Sequence, residues 1–438
     1  MRIRVFTFFL VFAALFIASC SRKHSPPAVG GAPPAQIEKL PPDASTAELT
    51  QALDAVVPVD ARSDSWKEIA AVAKRLLDWQ EVLNATRAPA KQINFHRIVM
   101  GFPIDKPIEY NGDIIQKKYR DSLEALPAEM KAVVSSLTQP LPEKIQLSGE
   151  EFENAGSPIV RAYDLATRWE ALSLYLNHYA ERETLDIRGY YFLSQTPDLQ
   201  GKLQHWNELP QEEAGLYSAW LVGLCRNNER PPGMCRKTLE EERMGGDLRA
   251  YYARYIEAAK ALYEGLFKIR ESRTDVSWRS KAPAGPDFPF VKPAKPGLAD
   301  IFQNSVESAW KGNGWALRLN YLDTEDAEKP HIVFEPGVTP HVNRLGGSEI
   351  VMDENVPLEG SLNRSAFAHE FGHIIGFPDC YVEFYDQNRG VMVNYQADLA
   401  NIMCSRLGKV LPLHFTELQR VYGAGRNPSA AKKKRKTR

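Results

Sequence analysis

His369-Glu370-Phe371-Gly372-His373-Ile374-Ile375-Gly376-Phe377-Pro378-Asp379 carries two histidines four residues apart. On a helix, four residues advance the chain by about 400°, so both imidazoles leave from nearly the same face and can reach one metal ion. Glu370 points about 100° away from His369. That direction suits a base acting on metal-activated water better than a third ligand. Gly376 can end the helix in a left-handed turn with no Cβ penalty, and Pro378 forbids its continuation. The chain can then fold back and bring Asp379 to the same ion as an oxygen ligand. Two other readings stay open. One is an amphipathic helix that merely carries two surface histidines. The other is a real metal site whose third ligand is Glu383 or Glu417.

The run resembles the H-E-x-x-H-x-x-G-x-x-H/D signature of the metzincin zinc peptidases, in the minority form with aspartate last that is similar to the snapalysins. Metzincins carry a Met-turn beneath the metal. Asn401-Ile402-Met403-Cys404 looks like that turn, with Met403 placed 24 residues beyond Asp379. Residues 415–423 resemble the helix that follows it. The resemblance covers the last third of the chain. It implies an α+β fold: a catalytic domain over residues 285–424 with a twisted sheet, an active-site helix and a C-terminal helix. It implies one catalytic zinc ion on His369, His373 and Asp379, with Glu370 as general base and Met403 supporting the ligand histidines from below. It also implies a protein or peptide substrate that adds to an edge strand. Some subfamilies place a metal-directed tyrosine two residues after the methionine. Ser405 stands there instead, which leaves Tyr395 and Tyr422 as substitutes.

At the other end, Arg2 and Arg4 flank the start of an apolar run over residues 5–17. That run is too short for a permanent span, which needs about 20 residues. Residues 1–19 read as a secretory signal peptide. Ile17-Ala18-Ser19-Cys20 resembles a bacterial lipobox, which implies cleavage before Cys20 and a lipid anchor on that cysteine. An ordinary signal peptide with an incidental cysteine is the alternative. Ser21, rather than aspartate, implies outer-membrane sorting in a Gram-negative cell. The expected location is therefore the bacterial cell envelope, with acyl chains supplying the membrane affinity. Residues 20–44 are rich in Pro, Ala and Gly and read as a disordered tether. Residues 425–438 read as a basic, solvated tail.

The chain of 438 residues has room for two domains, and its formal charge of −1 points to no nucleic acid or acidic polymer as partner. A monomer is expected. With Cys20 lipidated, four of the five cysteines remain in a compartment that permits disulfides, and four allow three pairings. Sequence proximity and the domain split favour Cys225–Cys235 and Cys380–Cys404. A thiolate ligand or latency switch at Cys225, Cys235 or Cys380 is the alternative.

Residues 45–272 read as a mostly helical domain of five to seven helices. Ser45-Thr46-Ala47-Glu48 and Ser65-Trp66-Lys67-Glu68 match the capping box. After the second, Ile69, Val72, Ala73, Leu76, Leu77 and Leu83 keep a 3.6-residue period. Helical patterns also run over 159–183 and 248–267, with shorter helices expected at 117–137 and 211–225. His96, His178 and His205 are isolated and read as surface or satisfied core residues. Residues 226–233 form a polar loop between two cysteines. This domain could cover the cleft as a pro-segment, recruit a partner or act as a spacer. No dibasic site marks the junction, which favours a permanent domain.

Residues 273–296 hold several prolines and read as an extended linker. A helix is expected over 298–310, then strands at 315–321, 331–335 and 349–353, with the edge strand within 340–349. His331 and His341 could hold a second zinc. His414 reads as surface or as a wall of the specificity pocket. The reading that unites these features is a membrane-tethered zinc endopeptidase. A catalytically silent metal-binding envelope protein acting through its helical domain is the alternative, and a metal-free structural protein is a third.

Overall fold

The computed structural model describes residues 46–423 apart from 89–90, 96–100, 137, 324–325, 337, 355–357, 359–360 and 406–407. The signal peptide with Cys20, the tether, Ser45, His96 and the basic tail lie outside the described residues. The fold is α+β, with many helices and several small sheets.

The first helices are α1 (Thr46–Asp54), α2 (Asp64–Asn84), α3 (Gly112–Glu124), α4 (Ala128–Ser135), α5 (Gly149–Leu172) and α6 (Leu176–Glu181). Helix α2 starts two residues before the expected box. Ser63 is its cap and accepts from the Trp66 N–H at 3.1 Å, while Ser65 lies inside the helix. The expected single helix over 117–137 is split, because Pro127 caps a new helix, α4. A capping box does form at Ser148 and Glu151, at the start of α5. Helix α5 begins ten residues earlier than the pattern suggested, because it runs through Pro158, which normally breaks a helix. It also ends earlier than expected, in 3₁₀ turns at Ser173–Tyr175 and Arg182–Leu185 on either side of α6. Leu76, Trp79, Phe152 and Tyr163 sit in the resulting core.

Helices α7 (Arg188–Gln195), α8 (Leu199–Gln204), α9 (Gln211–Arg226), α10 (Pro232–Arg243) and α11 (Arg249–Gly265) enclose a second, smaller core. The Cys225–Cys235 disulfide ties α9 to α10 within it.

The strands are β1 (Ile108–Tyr110), β2 (Ser277–Arg279), β3 (Gly285–Val291), β4 (Lys311–Gly312), β5 (Trp315–Ala316), β6 (Arg318–Leu322), β7 (His331–Glu335), β8 (His341–Val342), β9 (Glu349–Asp353), β10 (Tyr381–Asp386) and β11 (Val391–Gln396). The stretch 273–296 is not a linker: it contains β2 and β3, and β3 pairs in parallel with β6. Phe288 and Phe290 alternate into the core. Pro286 and Pro289 hid that alternation, since proline normally argues against an inner strand. Strand β2 pairs only with residues 285–287 and so stops before Pro289.

Strand β1 comes from the helical half, yet it pairs antiparallel with β11, giving the order β1-β11-β10. Successive side chains of a strand point to opposite faces. Val382, Phe384, Val391, Val393 and Tyr395 accordingly face the C-terminal core, while Tyr385 and Met392 face the core of α1–α6. This sheet is a partition that belongs to both halves of the protein.

Helices α12 (Leu298–Ala309), α13 (Ser361–Ile375) and α14 (Pro412–Tyr422) complete the C-terminal part. The sheet β7-β9-β8 lies beside α13, with β8 at its margin.

Candidate metal centre

Helix α13 is held by its apolar side. Phe367, Phe371, Ile374 and Ile375 are buried against α12 and β3, and the Trp310 indole donates to the Ala368 carbonyl at 2.9 Å. His369 and His373 leave from another side, with ring centroids 4.9 Å apart and planes nearly perpendicular. Each Nδ1 meets a backbone carbonyl, that of Ile402 for His369 and that of Phe377 for His373, both at 2.8 Å. A carbonyl can only accept, so each Nδ1 carries a proton and each Nε2 is left for the other partner.

The helix stops at Gly376, whose φ is +109°. A side chain there would also strike the Glu271 carbonyl, 2.0 Å from an added Cβ. The chain reverses, and Asp379 Oδ1 comes to 3.2 Å from His369 Nε2 and 3.3 Å from His373 Nε2. Ligand atoms bound tetrahedrally to zinc at 2.0–2.1 Å lie about 3.3–3.4 Å from one another. Asp379 Oδ1 therefore stands from each imidazole nitrogen at the spacing of two ligands on one such ion, and the two rings lie within 4.8 Å of each other by their nearest nitrogens. Asp379 Oδ1 and Glu370 Oε2 are buried and take no aligned hydrogen bond among the described residues. Two imidazole nitrogens and a carboxylate oxygen are the donor set that zinc takes. The residues fit the ion.

Burial alone would raise the Asp379 carboxyl, but the two imidazoles beside it hold it well below the usual carboxylate range. Burial pulls His373 down, yet the charge and hydrogen bond of Asp379, the Glu370 charge and the Phe377 carbonyl together outweigh this and move it up to about 9. Glu370, unlike Asp379, moves up: burial raises it, and the neighbouring imidazoles offset only part of the rise. A carboxylate oxygen of Glu370 lies within 4.8 Å of a ring nitrogen of each histidine.

The floor is built from residues 401–404. Met403 is buried beneath Gly372, and a Cβ on Gly372 would lie 2.3 Å from the Met403 sulfur. That close approach is why a glycine stands between the histidines. Asn401 Oδ1 accepts from the Met403 N–H at 2.8 Å and from His414 Nε2 at 3.0 Å. The Cys380 N–H donates to the Met403 carbonyl at 3.0 Å, and a disulfide joins Cys380 to Cys404. His369, the residue after Asp379 and Met403 are thereby tied to one short segment.

Several expected roles are not met. His414 is 1% exposed, so it is neither a surface residue nor a pocket wall. Burial lowers it to about 4, and the Leu411 N–H donates into its Nδ1, which requires the neutral ring. Glu383 is taken by Arg168, and Glu417 by Arg420 and the Ile269 N–H, so neither approaches the histidines. Tyr395 donates to Asp186 and Tyr422 to the Ile375 carbonyl, so neither substitutes for the absent tyrosine at position 405. His331 and His341 sit on β7 and β8 with β9 between them, each with Nδ1 against a nearby carbonyl. His178 packs on Tyr179, and His205 is exposed. Among the described residues, the potential ligand atoms of His369, Glu370 and His373 all lie within 4.8 Å of one another, and Asp379 Oδ1 reaches both histidines beside them.

Sequence reasoning missed Tyr381, whose phenol hydrogen-bonds Asp379. Its position two residues after the third ligand, on a strand not foreseen, was the available signal. A cleft of about 580 Å³ opens beside His369 between α12 and α13, lined in part by Asn304, Ser308, Arg364 and Ile402. No known family model, curated protein or solved structure matches the chain.

Proposed function

We propose that this chain is a zinc-dependent endopeptidase of metzincin type, in the aspartate-ligand variant similar to the snapalysins. It acts in the bacterial envelope, tethered through lipid on Cys20. The observation that carries the reading is the triangle of His369 Nε2, His373 Nε2 and Asp379 Oδ1, with Glu370 at its side. A zinc ion held there supplies Lewis acidity, which polarises a carbonyl and acidifies water. Glu370 takes the proton from the attacking water and hands it to the departing amine. Its upward-shifted carboxyl suits both halves of that transfer, because a base poised nearer neutrality also returns its proton more readily. The Nδ1 contacts of both histidines hold the rings in one tautomer and orientation. Strand β8 and the cleft beside His369 are the surfaces on which an extended peptide and one of its side chains are read.

Glu370→Ala tests the reading. Bound zinc should be retained while hydrolysis of a peptide library falls by roughly 10²–10⁴-fold, the range of a general base. Unchanged hydrolysis would reject the mechanism.

A further inference from the structure

We infer that the helical half sets the geometry of the third ligand through Tyr381, a positioning residue on β10 that holds Asp379 against the two imidazoles. The inference rests on the reading of His369, His373 and Asp379 as ligands.

Tyr381 and Glu383 are two apart on β10 and share the face turned to the helical half. Against that face pack α6 and the turn Arg182–Leu185. Glu383 is clamped there. It accepts from Arg168 Nε at 2.6 Å and Nη2 at 2.5 Å, from the Tyr110 hydroxyl at 2.9 Å and from Asn394 Nδ2 at 3.1 Å. Both members of the Arg168–Glu383 pair are almost fully buried. Arg168 lies on α5 and Tyr110 on β1, so the anchor of β10 is supplied by the N-terminal half. On the strand's other face, Val382 and Phe384 enter the C-terminal core. Between ligand and strand, Cys380 is fixed by its disulfide. Residues 379–383 are therefore gripped on alternate sides.

A carboxylate has two oxygens and a soft terminal torsion, so its aim must be fixed from outside. Asp379 Oδ1 lies 3.2 and 3.3 Å from the two imidazoles, and the Tyr381 phenol hydrogen-bonds the same carboxylate. Partners of this kind orient metal ligands, and their loss typically weakens metal affinity 10–100-fold.

The test uses the full chain and zinc itself. Zinc affinity is measured by chelator competition for wild type, Y381F, H369A and the D379A background with and without Y381F. Apo-protein melting and the visible spectrum of the cobalt(II) form are followed alongside. Y381F should bind zinc roughly 10–100-fold more weakly and shift the cobalt spectrum, with the apo chain still folded and melting cooperatively. In D379A, adding Y381F should change the residual affinity less than about twofold, since no carboxylate is left to aim. If H369A abolishes tight binding while Y381F binds like wild type, the inference is overturned and the metal reading stands. A loss from Y381F of the same size in both backgrounds overturns it too. If H369A also binds like wild type, the metal reading itself fails.

Discussion

At the scale of single residues, two buried positions beside the histidine pair decide how firmly the site is held. Gly372 is one. Its Cβ-free face admits the Met403 sulfur and the Trp310 ring edge. Gly372→Ala overpacks that contact and should lose about 1–3 kcal/mol in urea unfolding. His414 is the other. It is kept neutral, shifted by burial from its usual 6.5 to about 4. The unfolded chain therefore takes up a proton at this ring below pH 6.5, and the folded chain only below about 4. Stability rises with pH between those values, is fully present above 6.5 and is lost as pH falls towards 4. The whole effect is about 3 kcal/mol. Unfolding of wild type and His414→Gln compared at pH 7 and pH 4.5 should show a shallower loss in the variant. The meeting of His369, His373 and Asp379 was legible in the sequence because helical spacing, a helix-ending glycine and a fixed offset each leave a local mark. His414 was not, since nothing local distinguishes a histidine eleven residues past Met403 that reaches back to Asn401.

At the scale of elements, the two disulfides have different work. Cys225–Cys235 joins α9 to α10 in a core far along the chain from the metal site. Cys380–Cys404 joins the residue after the third ligand to the residue after Met403. Each should contribute about 2–4 kcal/mol by restricting the unfolded chain. C225S/C235S should lower the unfolding free energy yet leave zinc affinity as it was. C380S/C404S should lower both, as read by chelator competition. The helices were broadly legible and their ends less so: Pro158 does not stop α5, and Ser63 rather than Ser65 caps α2. Strands β10 and β11 went unread. Strand β11 is buried on both faces along its whole length, so its apolar residues do not alternate with exposed ones.

At the scale of the whole molecule, the decisive feature is the sheet shared by the two halves. Strand β1 is three residues long, and its pairing with β11 spans more than half the chain, so no local pattern announces it. Its consequence is that neither half closes its own core. Removing residues 46–272 would bare the Tyr385 and Met392 face and leave Glu383 without Arg168 and Tyr110. A fragment of residues 273–423 should therefore be insoluble or molten in near-ultraviolet circular dichroism. The same dependence appears in milder form in Arg168→Ala, which strands a buried carboxylate and should cost about 3–5 kcal/mol in urea unfolding.

The most direct measurement is a crystal structure of the full chain soaked in zinc, with anomalous scattering to locate the ion. The account predicts one ion within about 2.0–2.2 Å of His369 Nε2, His373 Nε2 and an Asp379 oxygen, with the Glu370 carboxylate alongside. An ion bound elsewhere, or Asp379 turned away from the two imidazoles with zinc present, would contradict it.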